Sequence, residues 1–151
     1  MALATSLAAL VLLALPLASI EQDAADPRQE VWKTVEEWNR AFAANDAERY
    51  FSFVDPEISV LTPGNPYRVE GIRDDEEEFE FGVRNGKARV SYFQAAQPRI
   101  QVFGNVAVVT YFSRGAYGPE AKTAYFKETD VLVKRHSGWK IVHVHVSATT
   151  P

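Results

Sequence analysis

The stretch YFKETDVLVKRHSGWKIVHVHVSAT, Tyr125 to Thr149, decides the fold. Two runs of alternating polar and apolar residues flank Ser137-Gly138, a pattern that predicts two antiparallel strands joined by a tight turn. With Ser137 and Gly138 as the turn residues, counting gives the register. Val133 is expected opposite Val142, Leu132 opposite His143, Val131 opposite Val144, and Asp130 opposite His145. Side chains alternate between the faces of a strand. One face then carries Val131, Val133, Val142, Val144 and Val146. The other carries Phe126, Glu128, Asp130, Leu132, Ile141, His143, His145 and Ser147. A one-residue slip would scatter the valine face, which argues for this register.

Working outward, the chain from Arg89 onward reads as strand. Val90 to Phe103 is interrupted near Pro98 by an expected bend or bulge. Gly104-Asn105 is a turn, Val106 to Arg114 a strongly apolar strand, and Gly115 to Ala121 a loop. Upstream lie helices. Asp26 suits an N-cap, Pro27 the first helical position and Gln29 the reciprocal cap. Val31, Val35, Trp38 and Phe42 recur at helical spacing as one apolar stripe. Asn45 ends that helix, Asp46 caps a short second one, and Asp55-Pro56 stops it. Glu57 to Thr62 alternates as a strand, Pro63-Gly64-Asn65-Pro66 is a turn, and Tyr67 to Glu70 is a second short strand. Ile72 to Val83 reads as an acidic helix with Ile72, Phe79 and Val83 inward. Its run Asp74-Asp75-Glu76-Glu77-Glu78 lacks the spaced ligands and glycine of a calcium loop, and reads as a solvated helix face. Helices first and an antiparallel sheet after make the class α+β.

The 151 residues suffice for one domain with a real core. A net charge of −4 and the lack of a basic stripe argue against nucleic acid as a partner. The chain has no cysteine, which excludes disulfides, thiol catalysis and thiolate metal sites. Residues 1–20 carry no charged side chain and are rich in Leu and Ala, the pattern of a secretory signal peptide. An uncleaved membrane anchor is the competing reading. Either places the folded domain outside the cytoplasm. Residues 21–26 then form a linker and 27–151 the domain.

The order of elements and several motifs resemble the nuclear transport factor 2-like superfamily. More closely they resemble the association (hub) domain of calcium/calmodulin-dependent protein kinase II and its bacterial relatives. The matching stretches are AANDAERYFSFVDPEISVLTP at 43–63, VEG at 69–71, and ETDVLVKRHSGWKIVHVHVSA at 128–148. The tail Trp139…His143-Val144-His145…Ser147 fits the pattern W-x-x-V-H-x-H-x-S. The resemblance implies a conical α+β barrel with a pocket between the first helix and the sheet. It also implies a sheet-to-sheet homodimer, stacked into rings in the hubs. Arginines line the pocket of the kinase hub. Here Asp130 stands where one of them follows Glu-Thr, and Ser113 aligns with another.

The mixed face of the hairpin is the expected site. In the counted register Asp130 lies within hydrogen-bonding reach of His145, a pair able to move a proton near neutral pH. The same pair also reads as a structural bond that holds the sheet in register. Glu128, His143, Tyr111, Ser113 and Trp38 are the expected ligand-binding residues. Tyr111 can donate to a developing oxyanion. Trp38 and Trp139 read equally well as core aromatics. Three functions stand side by side. The first is a pocket for a small apolar or mixed-polarity ligand, with isomerase- or cyclase-like acid–base chemistry. The second is a non-catalytic oligomerising module. The third is a metal enzyme built on His143, His145 and a carboxylate from Asp130 or Glu128. No cofactor is expected for the first reading. The valine face, left without a helix, is expected to form the dimer interface.

Overall fold

The computed structural model describes residues 26–86 and 89–151, so the expected signal peptide and nearly all of the linker lie outside the described residues. Helix α1 (Pro27–Ala44) begins at Asp26, whose carboxylate accepts the Arg28 backbone N–H at 3.0 Å. It ends at Asn45 in the left-handed conformation, φ 54°. Helix α2 (Ala47–Ser52) is capped by Asp46, which accepts the Arg49 N–H. Strands β1 (Val54–Leu61) and β2 (Val69–Glu70) follow, then helix α3 (Ile72–Arg84). Four long strands complete the chain: β3 (Val90–Phe103), β4 (Val106–Tyr117), β5 (Lys122–Arg135) and β6 (Gly138–Thr149).

The strands form one open six-stranded sheet in the order β2-β1-β6-β5-β4-β3. All neighbours are antiparallel except β1 and β6, which run parallel. The α+β class with N-terminal helices against a mainly antiparallel sheet is as the sequence indicates. Strand β1 starts three residues earlier than expected and passes through Asp55-Pro56. Asp55 is buried there and accepts from Arg135 Nε at 2.7 Å. Helix α1 buries Val31, Val35, Trp38, Asn39 and Ala41, with β3 as its main contact. Val109, Leu132, Ile141 and Val144 meet them from the sheet. Asn45 ties the helix end to the sheet, because its side chain exchanges two hydrogen bonds with the Val90 backbone, at 3.0 and 3.1 Å.

The last hairpin departs from the counted register. The two turn residues are His136 and Ser137, so Arg135 pairs with Gly138 and Leu132 with Ile141. Val142 is then an extra residue, and pairing resumes with Val131 opposite His143, Asp130 opposite Val144 and Thr129 opposite His145. The reason lies in the core. Trp139 and Ile141 share one parity along β6, and Val144 and Val146 share the other. A bulge at Val142 lets all four point inward. It forfeits about one ladder hydrogen bond, worth roughly 1 kcal/mol. Burying two imidazoles in place of two valines would cost several times that. The expected valine face is therefore split. Val144 and Val146 face the helices, while Val131 and Val133 lie on the outer face with His143 and His145.

The second bulge falls where Pro98 predicts it. Gln97 and Pro98 together oppose Tyr111, and Gln97 takes a φ of 55°. Along α3, Ile72 and Phe79 face the core as expected. Asp75 does too, which corrects the reading of the acidic run as wholly solvated. No helix among the described residues is long and apolar enough to cross a membrane.

Candidate functional site

Strands β4 and β5 set the site by alternation. Tyr111 and Ser113 project inward from β4. Glu128 and Asp130 project inward from β5, with Tyr111 paired to Glu128 and Val109 to Asp130. All four side chains are buried, and Asp130 is 0% exposed. They differ in what they touch. The Tyr111 hydroxyl donates to Glu128 Oε2 at 2.9 Å, and Ser113 Oγ donates to Glu128 Oε1. The Asn39 amide, from α1, reaches the Tyr111 oxygen at 3.4 Å. Both oxygens of Asp130 are without a partner. Tyr111 has a single proton to give, and it goes to Glu128.

These contacts sort the two acids. Burial pushes both carboxyls above their ordinary range. For Glu128 the donated bonds from Ser113 and Tyr111 oppose that push. For Asp130 the nearby Glu128 charge adds to it, and the carboxyl sits well above its ordinary range. Glu128 is therefore the more readily ionised of the two, and Asp130 is the one held toward its neutral form. Tyr111 is itself held far above the ordinary phenol value by burial and by the two acids, so it stays a donor.

Glu128 forms part of the wall of a cavity of about 340 Å3. The remaining wall is mostly ring and aliphatic surface. Trp38, Phe42 and Tyr50 come from the helices, Phe93, Tyr117 and Phe126 from the long strands, and Val144 and Val146 from β6. Thr62, Pro63 and Gly64 lie at its edge in the turn after β1. The rings interlock, with centroids 5.7 Å apart for Phe42 and Phe93 and 5.7 Å for Tyr117 and Phe126. An apolar chamber with one anchored carboxylate can hold a small molecule and orient a polar group of it. It can also accept a proton from that molecule.

Of the residues expected at the site, Asp130, Glu128, Tyr111 and Ser113 come together on the inner face, with Trp38 on the wall of the same chamber. His143 and His145 do not join them. The Val142 bulge turns both to the outer face, so the expected Asp130–His145 hydrogen bond is not formed. The set of two histidines and a carboxylate from Asp130 or Glu128 is excluded by the same geometry. Among the described residues, no group of three or more His, Cys, Asp or Glu is arranged to hold a metal ion. His143 Nδ1 lies 2.8 Å from Ser59 Oγ of β1, and partial burial lowers its pKa. His145 is exposed, with Nε2 3.3 Å from Ser147 Oγ. Asn39 was not expected at the site. Its signal was a polar residue beside Trp38 on an otherwise apolar helix stripe.

The fold is shared with known proteins. Over 83% of this chain and 99% of the other, the structure matches the CaMKII hub of S. rosetta, with 26% identity and a TM-score of 0.70. The CaMKII hub homology domain of Chlamydamonas reinhardtii matches at 26% identity and a TM-score of 0.68, again over 83% and 99%. A nuclear transport factor 2-like superfamily protein from Salmonella enterica matches in fold, at 22% identity and a TM-score of 0.70, over 83% and 92%. The family model for the calcium/calmodulin-dependent protein kinase II association domain matches residues 27–150. The chain belongs to the calcium/calmodulin-dependent protein kinase II association domain family, on the nuclear transport factor 2-like fold.

Proposed function

We propose that this protein binds a small, largely apolar molecule in the chamber between α1 and the sheet. The observation that carries the reading is the chamber itself: about 340 Å3, walled by six aromatic rings, with the Glu128 carboxylate set into its wall. Its size falls within the ordinary range of ligand pockets. Glu128 is the group positioned to accept a hydrogen bond or a proton from the ligand. Asp130 and Tyr111 tune Glu128 from behind, so an acid–base step runs through Glu128. The charge-free Leu/Ala run over 1–20 supports export, which N-terminal sequencing of the mature protein tests.

The test is a titration with 2-naphthol, read by quenching of tryptophan fluorescence. The wild-type chain is expected to bind one equivalent saturably. Val146→Trp fills the chamber from its wall and is expected to abolish binding while the thermal melt stays cooperative. A wild-type protein with no saturable quenching overturns the pocket.

A second reading concerns assembly, and the outer face of the sheet favours it. Val131 and Val133 lie there half-buried, and Phe112 is 47% exposed on the neighbouring strand. We propose that this face joins copies of the chain into a homo-oligomer, in line with the hub proteins it is similar to.

A further inference from the structure

We propose that the ligand of this chamber is a small organic cation, an alkylammonium carried on a compact apolar body, seated among the aromatic rings with its charge toward Glu128. The inference rests on the pocket reading above and adds the charge of the ligand to it.

Three observations point the same way. First, among the described residues the wall contains no Lys, Arg or His, and Glu128 is its one charged side chain. An anion would meet a buried carboxylate with nothing to neutralise it, at a cost that rises steeply in a low dielectric. Second, the Glu128 carboxylate is positioned before any ligand arrives. Both of its oxygens accept hydrogen bonds, one from Tyr111 and one from Ser113, and Asn39 holds the Tyr111 oxygen in turn. Two donors on one carboxylate stabilise its ionised form. Third, the rest of the chamber wall is largely aromatic. Ring faces attract ammonium groups through their quadrupole, by about 2 kcal/mol where water is excluded. A neutral ligand of the same shape gains neither term.

The groups facing Glu128 are Asp130 on its own strand, Tyr111, Ser113 and Tyr117 on β4, and Tyr50 and Asn39 from the helices. Burial raises the carboxyls of both Glu128 and Asp130 and the phenols of Tyr50, Tyr111 and Tyr117. A bound cation favours the charged form of Glu128. Cation affinity therefore increases as pH rises through the Glu128 value, and falls in acid as the carboxylate takes up a proton.

The experiment uses three molecules of one shape: choline, neutral 3,3-dimethylbutan-1-ol and anionic 3,3-dimethylbutanoate. Each is titrated calorimetrically into the wild-type protein at pH 5 and pH 8. At pH 8, choline is expected to bind at least about tenfold more tightly than the alcohol, a modest share of the cation–π and charge terms. The butanoate is expected not to bind. The choline preference is expected to shrink at pH 5 and to vanish in Glu128→Gln. If the alcohol or the butanoate binds as well as choline, the cation is wrong and the pocket stands. If none of the three binds, the cation is also wrong, and the 2-naphthol titration decides separately whether the pocket falls with it.

Discussion

Asp130 is the residue whose chemistry the sequence showed and whose partner it did not. An acid in the middle of an apolar strand is conspicuous, and the departure from arginine in the resemblance marked the position. The partner depended on register, which a single extra residue in β6 changes. What the structure leaves is a fully buried carboxyl with no hydrogen bond. Such a group is tolerated only in its neutral form. Its pKa is raised when folded, so its contribution to stability is complete below the ordinary value of 3.8 and is lost as pH rises through the raised value. Asp130→Asn keeps the shape and removes the titration. Urea unfolding at pH 3, below the ordinary carboxyl value, is expected to give similar stability for the two proteins. At pH 9 the variant is expected to be the more stable of the two. Parallel pH curves for the two proteins would show that Asp130 is not buried in this way.

Among the elements, those with local signals were legible and those defined by tertiary contact were not. Asp26, Asn45 and Asp46 fixed the helix ends, since caps are chosen by side chains adjacent in sequence. Pro98 announced its bulge, because a proline cannot donate to the ladder. Val142 announced nothing, since valine suits any strand position and only the packing of Trp139 and Ile141 against Val144 and Val146 demands an extra residue there. Helix α3 carries the same lesson. Its acidic run hides one inward residue, Asp75, 7% exposed with Oδ2 unpartnered. Burial, with Glu78 and Glu76 nearby, raises Asp75 to about 6. Its folded value again exceeds the unfolded one. Its contribution is full below 3.8 and is lost as pH rises through about 6. Asp75→Asn is expected to stabilise the protein at pH 8 by about 2–3 kcal/mol and to have little effect at pH 4. A melting temperature at pH 8 unchanged by the substitution would place Asp75 in solvent.

For the whole molecule, the bulge decides which side of the sheet is chamber and which is available for assembly. The uniform valine face inferred from alternation would have made Val144 an interface residue. The structure assigns Val144 to the core at 4% exposure and leaves Val131 outside. Two lysine substitutions separate these roles. Val144→Lys places an ammonium group among buried side chains and is expected to prevent folding, by the several kcal/mol that an unpaired buried charge costs. Val131→Lys is expected to leave the melt and 2-naphthol binding nearly intact and to shift sedimentation from oligomer toward monomer. A wild-type chain that sediments as a monomer at micromolar concentration overturns the assembly.

The single-residue bulge at Val142 also makes β6 a strand with two reading frames. Continued without it, the pairing of Leu132 with Ile141 would set His143 opposite Asp130 and His145 opposite Glu128. Each buried acid would then have an imidazole across from it, and the chamber would be lined by ion pairs. In the frame the protein uses, Val144 and Val146 take those places and the acids are left to Tyr111 and Ser113, or to nothing. One residue of offset thus selects between a basic interior and an oily one. The histidines that dominate the sequence pattern are displayed on the outside of the sheet, away from the chamber wall.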